Sequence, residues 1–216
     1  MERSLDTSLN KVLASDKILM AALEIAQARG WANVRMCHIA AHLNASLAEL
    51  RELYPDMNAI ADAWFSYALA EMLSVSDKTL RVFAVKERLF IVITRWLDAL
   101  DVNHRVSVQM IRQKLYAVHV QHWAPMIFSL SNLVHWILDA AMIDSAGRQR
   151  KLEEIGMTLI LLEMLRVWGE DNTVDQIKTR EFLKKRLDMA DRTMRFLFLK
   201  CNPKGMDAQP TKKVKL

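Results

Sequence analysis

Glycine and proline are scarce in this 216-residue chain, with 5 and 4 copies, and there are only two cysteines. So few turn residues leave little material for the connections of an all-β fold. Cys37 and Cys201 cannot build a disulfide framework and lack any metal-ligand spacing. Long hydrophobic runs are missing too. The strongest, Met157 to Leu162, falls far short of the ~18–20 apolar residues that a membrane span needs. The first residues, MERSLDTSLNK, lack the apolar core of a signal peptide. Apolar residues nevertheless make up 52% of the chain and are spread along it, which excludes a disordered or collagen-like polymer. These features predict a cytoplasmic, mainly helical protein with no integral membrane association.

The formal net charge of +5 points toward an acidic partner until its position is considered. Five lysines between Lys200 and Leu216 stand against Asp207 alone, a net of +4, leaving +1 for residues 1–199. Residues 200–216 hold two of the prolines and no periodic apolar pattern, and are expected to form a basic, flexible tail.

About nine helices are predicted by apolar spacing and stop signals. Ser15 is read as the N-cap of the first, which ends at Gly30, so residues 1–14 are taken as an arm. Short helices follow at 36–43 and 47–54, separated by Asn44-Ala45-Ser46, and Pro55 closes the second of them. Ser46 with Glu49 three residues on is a capping-box pattern. Longer helices are expected at 58–75, 85–100, 104–118, 126–141, 148–168 and 174–198. The eighth is apolar nearly all round over MTLILLEML, so burial is expected, on several neighbours or on a second subunit. Homodimerisation through the last two helices is the favoured reading.

Gly30-Trp31, Val34, Ile39-Ala40, Leu43, Leu50, Tyr54 and Ile60 fall at the places of a recurring pattern. By these residues the segment from Ile18 to Leu69 resembles the N-terminal domain of TetR-family regulators. The resemblance implies an all-α architecture with a helix-turn-helix domain at 15–57. A longer helical domain for ligand binding and dimerisation, at 58–199, would follow. The implied partner is double-stranded DNA: the second helix braces against phosphates and the third lays its first side chains on base edges. On that reading Arg35, Arg51 and Asn58 meet phosphates, and Leu47 and Ala48 approach bases through apolar contacts. Tyr54 joins this set and also locks the third helix to the first. Two family positions differ: Arg51 replaces a tyrosine, and Met57 replaces a lysine that contacts phosphate. The span Val34–Asn58 carries a net of −1, with Glu49 and Glu52 on the reading helix itself. Those acids oppose a polyanion unless they point away or accept from cytosine.

The C-terminal half, with LRVWGEDNTVDQ and FLKKRLDMADRTM, is similar to TetR-like proteins and distantly similar to a coenzyme-Q biosynthesis family. The second likeness implies an alternative: a lipid- or isoprenoid-binding accessory protein of the same fold that has lost DNA binding. Thirteen methionines and six tryptophans fit a pocket for a small hydrophobic ligand. Trp96, Met110, Tyr116, Trp136, Met164 and Trp168 are its candidate lining, against the alternative of plain core packing. His119 and His122 lie at i and i+3, but no third ligand for a metal is evident. No nucleophile elbow, zinc-protease motif or phosphate-cradling loop is present, so neither catalytic residues nor a cofactor are assigned. Cys37 is read as a buried structural thiol.

Overall fold

Gly30 takes φ of +80°, a conformation open to glycine, and ends the first helix where the sequence places its stop. The computed structural model describes residues 2–75, 77–115 and 123–199. Among these are ten α-helices and no strand. Helix α1 runs Glu2–Arg29, and a single 3-10 turn, Trp31–Asn33, leads to α2 at Met36–Leu43 and α3 at Leu47–Leu53. Helices α4 (Met57–Leu73), α5 (Asp77–Leu80), α6 (Val85–Asp101), α7 (His104–Leu115) and α8 (Trp123–Ala140) follow. The last two are α9 (Gly147–Trp168) and α10 (Ile177–Leu199), the latter preceded by a 3-10 turn at Val174–Gln176.

Two expectations are corrected here. Ser15 does not start the first helix: α1 continues back to Glu2, because residues 2–14 contain no glycine or proline to stop it. The tenth helix is α5, a single turn where the sequence suggests only a break. Pro125 lies inside the first turn of α8, where a missing N–H removes no helical hydrogen bond.

The chain divides into two compact units, one ending at Ile143 and the other beginning at Asp144. In the first, α4 and α6 form the principal helix pair. Ile60, Ala61, Trp64, Ala68 and Met72 make the buried stripe of α4. Leu89, Val92, Ile93, Trp96, Leu97 and Leu100 do the same for α6. Spacings of three and four residues put each set on one helix face, and each large side chain so buried contributes about 1.5–3 kcal/mol. Two polar side chains within this core, Trp64 and Ser107, are satisfied in series. Trp64 Nε1 donates to Ser107 Oγ at 2.8 Å, and that hydroxyl donates to the Leu100 carbonyl at 2.9 Å. Helix α1 packs on α2, α3, α4 and α7, so the three-helix head and the longer helices share one unit.

In the second unit α9 packs along α10. Met157, Ile160, Leu161, Met164 and Trp168 are buried on α9, and Leu183 and Leu187 on α10. Within the single chain only one stripe of α9 is buried. Leu152, Ile155, Leu159 and Leu162, a second stripe at helical spacing, are exposed, Leu159 at 59%. Asp171 closes the loop between the two helices. It accepts from Thr173 N and Oγ1 at 2.9 and 2.5 Å, and from Thr179 N and Oγ1 at 2.8 and 2.7 Å. Burial penalises the Asp171 charge, but these four donors outweigh it and hold the carboxyl at about 2.

Candidate nucleic-acid interface

The turn between α2 and α3 is set by two residues. Asn44 takes φ of +51°, a left-handed position that asparagine tolerates. Its N–H donates to the Ala41 carbonyl at 3.4 Å and the Ala45 N–H to that of Ala40 at 3.0 Å, closing α2 in a Schellman motif. Two residues later Ser46 caps α3. Its hydroxyl accepts the Glu49 N–H at 3.2 Å. In return Glu49 Oε2 accepts from Ser46 N at 2.7 Å and from Ser46 Oγ at 2.8 Å. The backbone bond from Ser46 holds the Glu49 carboxyl below its usual range. Glu49 is therefore folded back on its own helix terminus. Helix α2 starts similarly, the Arg35 N–H donating to His38 Nδ1 at 3.3 Å.

On α3, Leu50 is buried, while Leu47, Ala48, Arg51 and Glu52 are exposed, Leu47 at 53%. Positions 47, 48, 51 and 52 are i, i+1, i+4 and i+5, so they share one helix face. An exposed leucine at the first position of a helix is costly to hydration and suited to a thymine methyl group. Arg51 stands free for a phosphate or base, and Glu52 stays in reach of the same partner. Asn58 is exposed in the first turn of α4, just after Asp56, whose Oδ1 caps that helix by accepting the Ala59 N–H at 2.8 Å. Arg35 is exposed, but its Nη1 donates to the Ala32 and Val34 carbonyls at 2.7 and 2.9 Å, which ties it to its own turn.

Tyr54 departs from the expected interface. It is 8% exposed, and its hydroxyl donates to the Ser15 carbonyl at 3.4 Å. Burial pushes its phenol pKa up. Its ring and hydroxyl are directed to α1, away from the exposed face of α3. Cys37 is likewise not the buried thiol expected. It is exposed, because Ile39 and Ala40 supply the inward face of α2.

The proposed ligand residues fall in both units. Trp96 and Met110 are buried in the first unit, whereas Met164 and Trp168 are buried in the second. Trp136 is 48% exposed, so its ring meets solvent. Tyr116 and the pair His119 and His122 lie outside the described residues. Among the described residues no helix is long and apolar enough to cross a membrane.

A short helix, a tight left-handed turn and a second short helix with an exposed reading face define a helix-turn-helix protein whose head is built onto a helical core. No family model matches the chain, and a search of curated proteins gives no significant match. Solved structures do match. A TetR transcriptional regulator from Nitrosomonas europaea ATCC 19718 shares 32% identity at a TM-score of 0.72, over 83% of this chain and 98% of its own. The chain belongs to the TetR family of transcriptional regulators. A TetR regulator from Rhodococcus sp. RHA1, at 17% identity and a TM-score of 0.59, covers 80% of this chain and 92% of its own and shares the fold. The likeness to the coenzyme-Q family rests on the sequence alone.

Proposed function

We propose that the protein reads double-stranded DNA through α3 as a cytoplasmic homodimer and answers to a small hydrophobic ligand. One observation carries the DNA reading: Glu49 is engaged in the α3 cap, which leaves Leu47, Ala48 and Arg51 leading the exposed face. The acid that most opposes a polyanion keeps its charge, but the Ser46 hydrogen bonds stabilise that charge and hold it at the helix terminus. Arg51 and Asn58 then serve phosphates, and Leu47 and Ala48 serve thymine methyls. Arg35 contributes with the guanidinium nitrogens that its own turn leaves over.

The homodimer reading is supported by Leu152, Ile155, Leu159 and Leu162 on α9, with Met189 and Phe196 on α10, all exposed in the single chain. Contiguous apolar side chains at helical spacing are what a helix pair buries against a second copy. The ligand reading is supported by the methionine and tryptophan content and by Trp96 and Met110 in the interior of the first unit. A ligand regulates here by favouring one head arrangement over another, since equal affinity for both shifts nothing.

The test is fluorescence anisotropy on DNA from upstream of the protein's own gene, at two salt concentrations and with unrelated competitor DNA. Tight binding that survives competitor and weakens steeply with salt is expected. The lipid-binding accessory reading keeps one specific support, Met57 at the position of a phosphate-contacting lysine in a span of net −1. Absence of competitor-resistant DNA binding, together with isoprenoid or acyl lipid in an organic extract of the purified protein, would decide for it.

A further inference from the structure

The turn that joins α1 to the reading helices is held from outside the head, by α7. Gln109 Oε1 accepts the backbone N–H of Trp31 at 2.6 Å, across 78 residues of sequence. Trp31 is buried, and its N–H stands just after Gly30, where α1 has ended and offers that group no carbonyl of its own. Nearby, Gln27 Nε2, in the last turn of α1, donates to Oδ1 of Asn103, the residue before α7. Ser107 receives Trp64 Nε1 of α4 on the same stretch. The first two turns of α7 thus reach α4, the turn after α1, and α1 itself, on which α2 and α3 pack. Buried Val106 and Met110 fix that stretch of α7 in the core.

We propose that Gln109 is a positioning residue. Its amide latches the Trp31 turn to α7 and sets the angle at which α3 is presented. A head without the latch samples several angles, and its affinity falls by the fraction of time spent in the productive one. For a two-headed reader this loosening has a specific signature. Half-site spacing is a geometric demand that both heads meet together, so loosened heads tolerate a wrong spacing. The inference rests on the DNA-reading proposal and adds which residue aims the reader.

The experiment compares Gln109→Met with Gln109→Glu. Both keep the side-chain length, but only glutamate keeps an acceptor for the Trp31 N–H. Duplexes are first selected from random sequence by the unaltered protein, then remade with one base pair inserted or removed between the half-sites. The unaltered protein is expected to discriminate sharply between spacings. Gln109→Met should bind the best duplex about tenfold more weakly, the scale of one lost hydrogen bond, and should discriminate less. Gln109→Glu should restore both properties, and amide exchange of the Trp31 turn should be fast in the methionine variant alone. A methionine variant that merely melts earlier, with spacing preference intact, overturns the inference and leaves Gln109 a structural residue. If the unaltered protein selects no duplex above competitor, the DNA reading itself fails and takes this inference with it. Unaltered discrimination that Gln109→Met leaves unchanged overturns the inference alone.

Discussion

Glu49 and Glu52 stand three residues apart on α3 and differ in what their hydrogen bonds leave over. Glu49 closes a capping box with Ser46, whereas Glu52 is exposed on the face that carries Arg51. Replacing Ser46 by alanine removes the cap, which should cost about 0.5–2 kcal/mol in a urea unfolding titration. It also releases Glu49 toward the DNA side, so binding should weaken beyond the stability loss. Arg51→Ala tests the neighbouring cation. Affinity should fall to a similar degree on all sequences, and the slope of log affinity against log salt should shrink by about one. An unchanged slope would take Arg51 out of the interface. Tyr54 shows where residue-level reading stops. Position 54 is i+4 from buried Leu50, which aims its ring at α1, and only the Ser15 contact decides between locking and reading.

Helix termini in this chain are legible wherever a residue cannot continue the helix. Gly30 ends α1, Leu53 is the last residue of α3 before Tyr54 and Pro55, and Gly169 follows α9. The start of α1 is illegible for the converse reason: Ser15 and Asp16 resemble a cap but sit in a stretch with nothing to break the helix. The entry to α10 depends on Asp171, and its pH dependence follows from the sign of its shift. A carboxyl lowered from 3.8 to about 2 gives stability that is complete above pH 3.8 and lost as pH falls through about 2. The difference in unfolding free energy between the unaltered protein and Asp171→Asn should therefore shrink as pH drops from about 4 to about 2. Urea titrations across that range measure it. A difference that stayed constant would mean that the four donors do not discriminate the ionised form.

The whole molecule carries two apolar stripes on α9, one buried and one exposed. Sequence composition cannot separate them, because both contain Leu and Ile at the same spacing. The exposed stripe supplies the proposed contact with a second copy. Leu159→Glu places a charge at its centre, where burial without a partner is prohibitive. Sedimentation should find the unaltered protein at twice the chain mass and the variant at the chain mass. Helical content should be unchanged, since Leu159 is already exposed in the single chain. A variant still at twice the mass would place the dimer contact elsewhere.

The resemblance of residues 18–69 to TetR-family heads implied the helix-turn-helix, and the sequence by itself determined the all-helical class, most helix boundaries and the Ser46–Glu49 cap of α3. These follow from periodicity, turn residues and capping patterns, which act within a few residues of each other. Tertiary structure alone decided which stripe of α9 is covered, that Cys37 is exposed, that Tyr54 faces α1, and that Trp136 meets solvent. It also brought Gln109 to the Trp31 N–H. A single polar side chain has no period, and its partner lies 78 residues away, so only the packing of α7 against the end of α1 brings the two together.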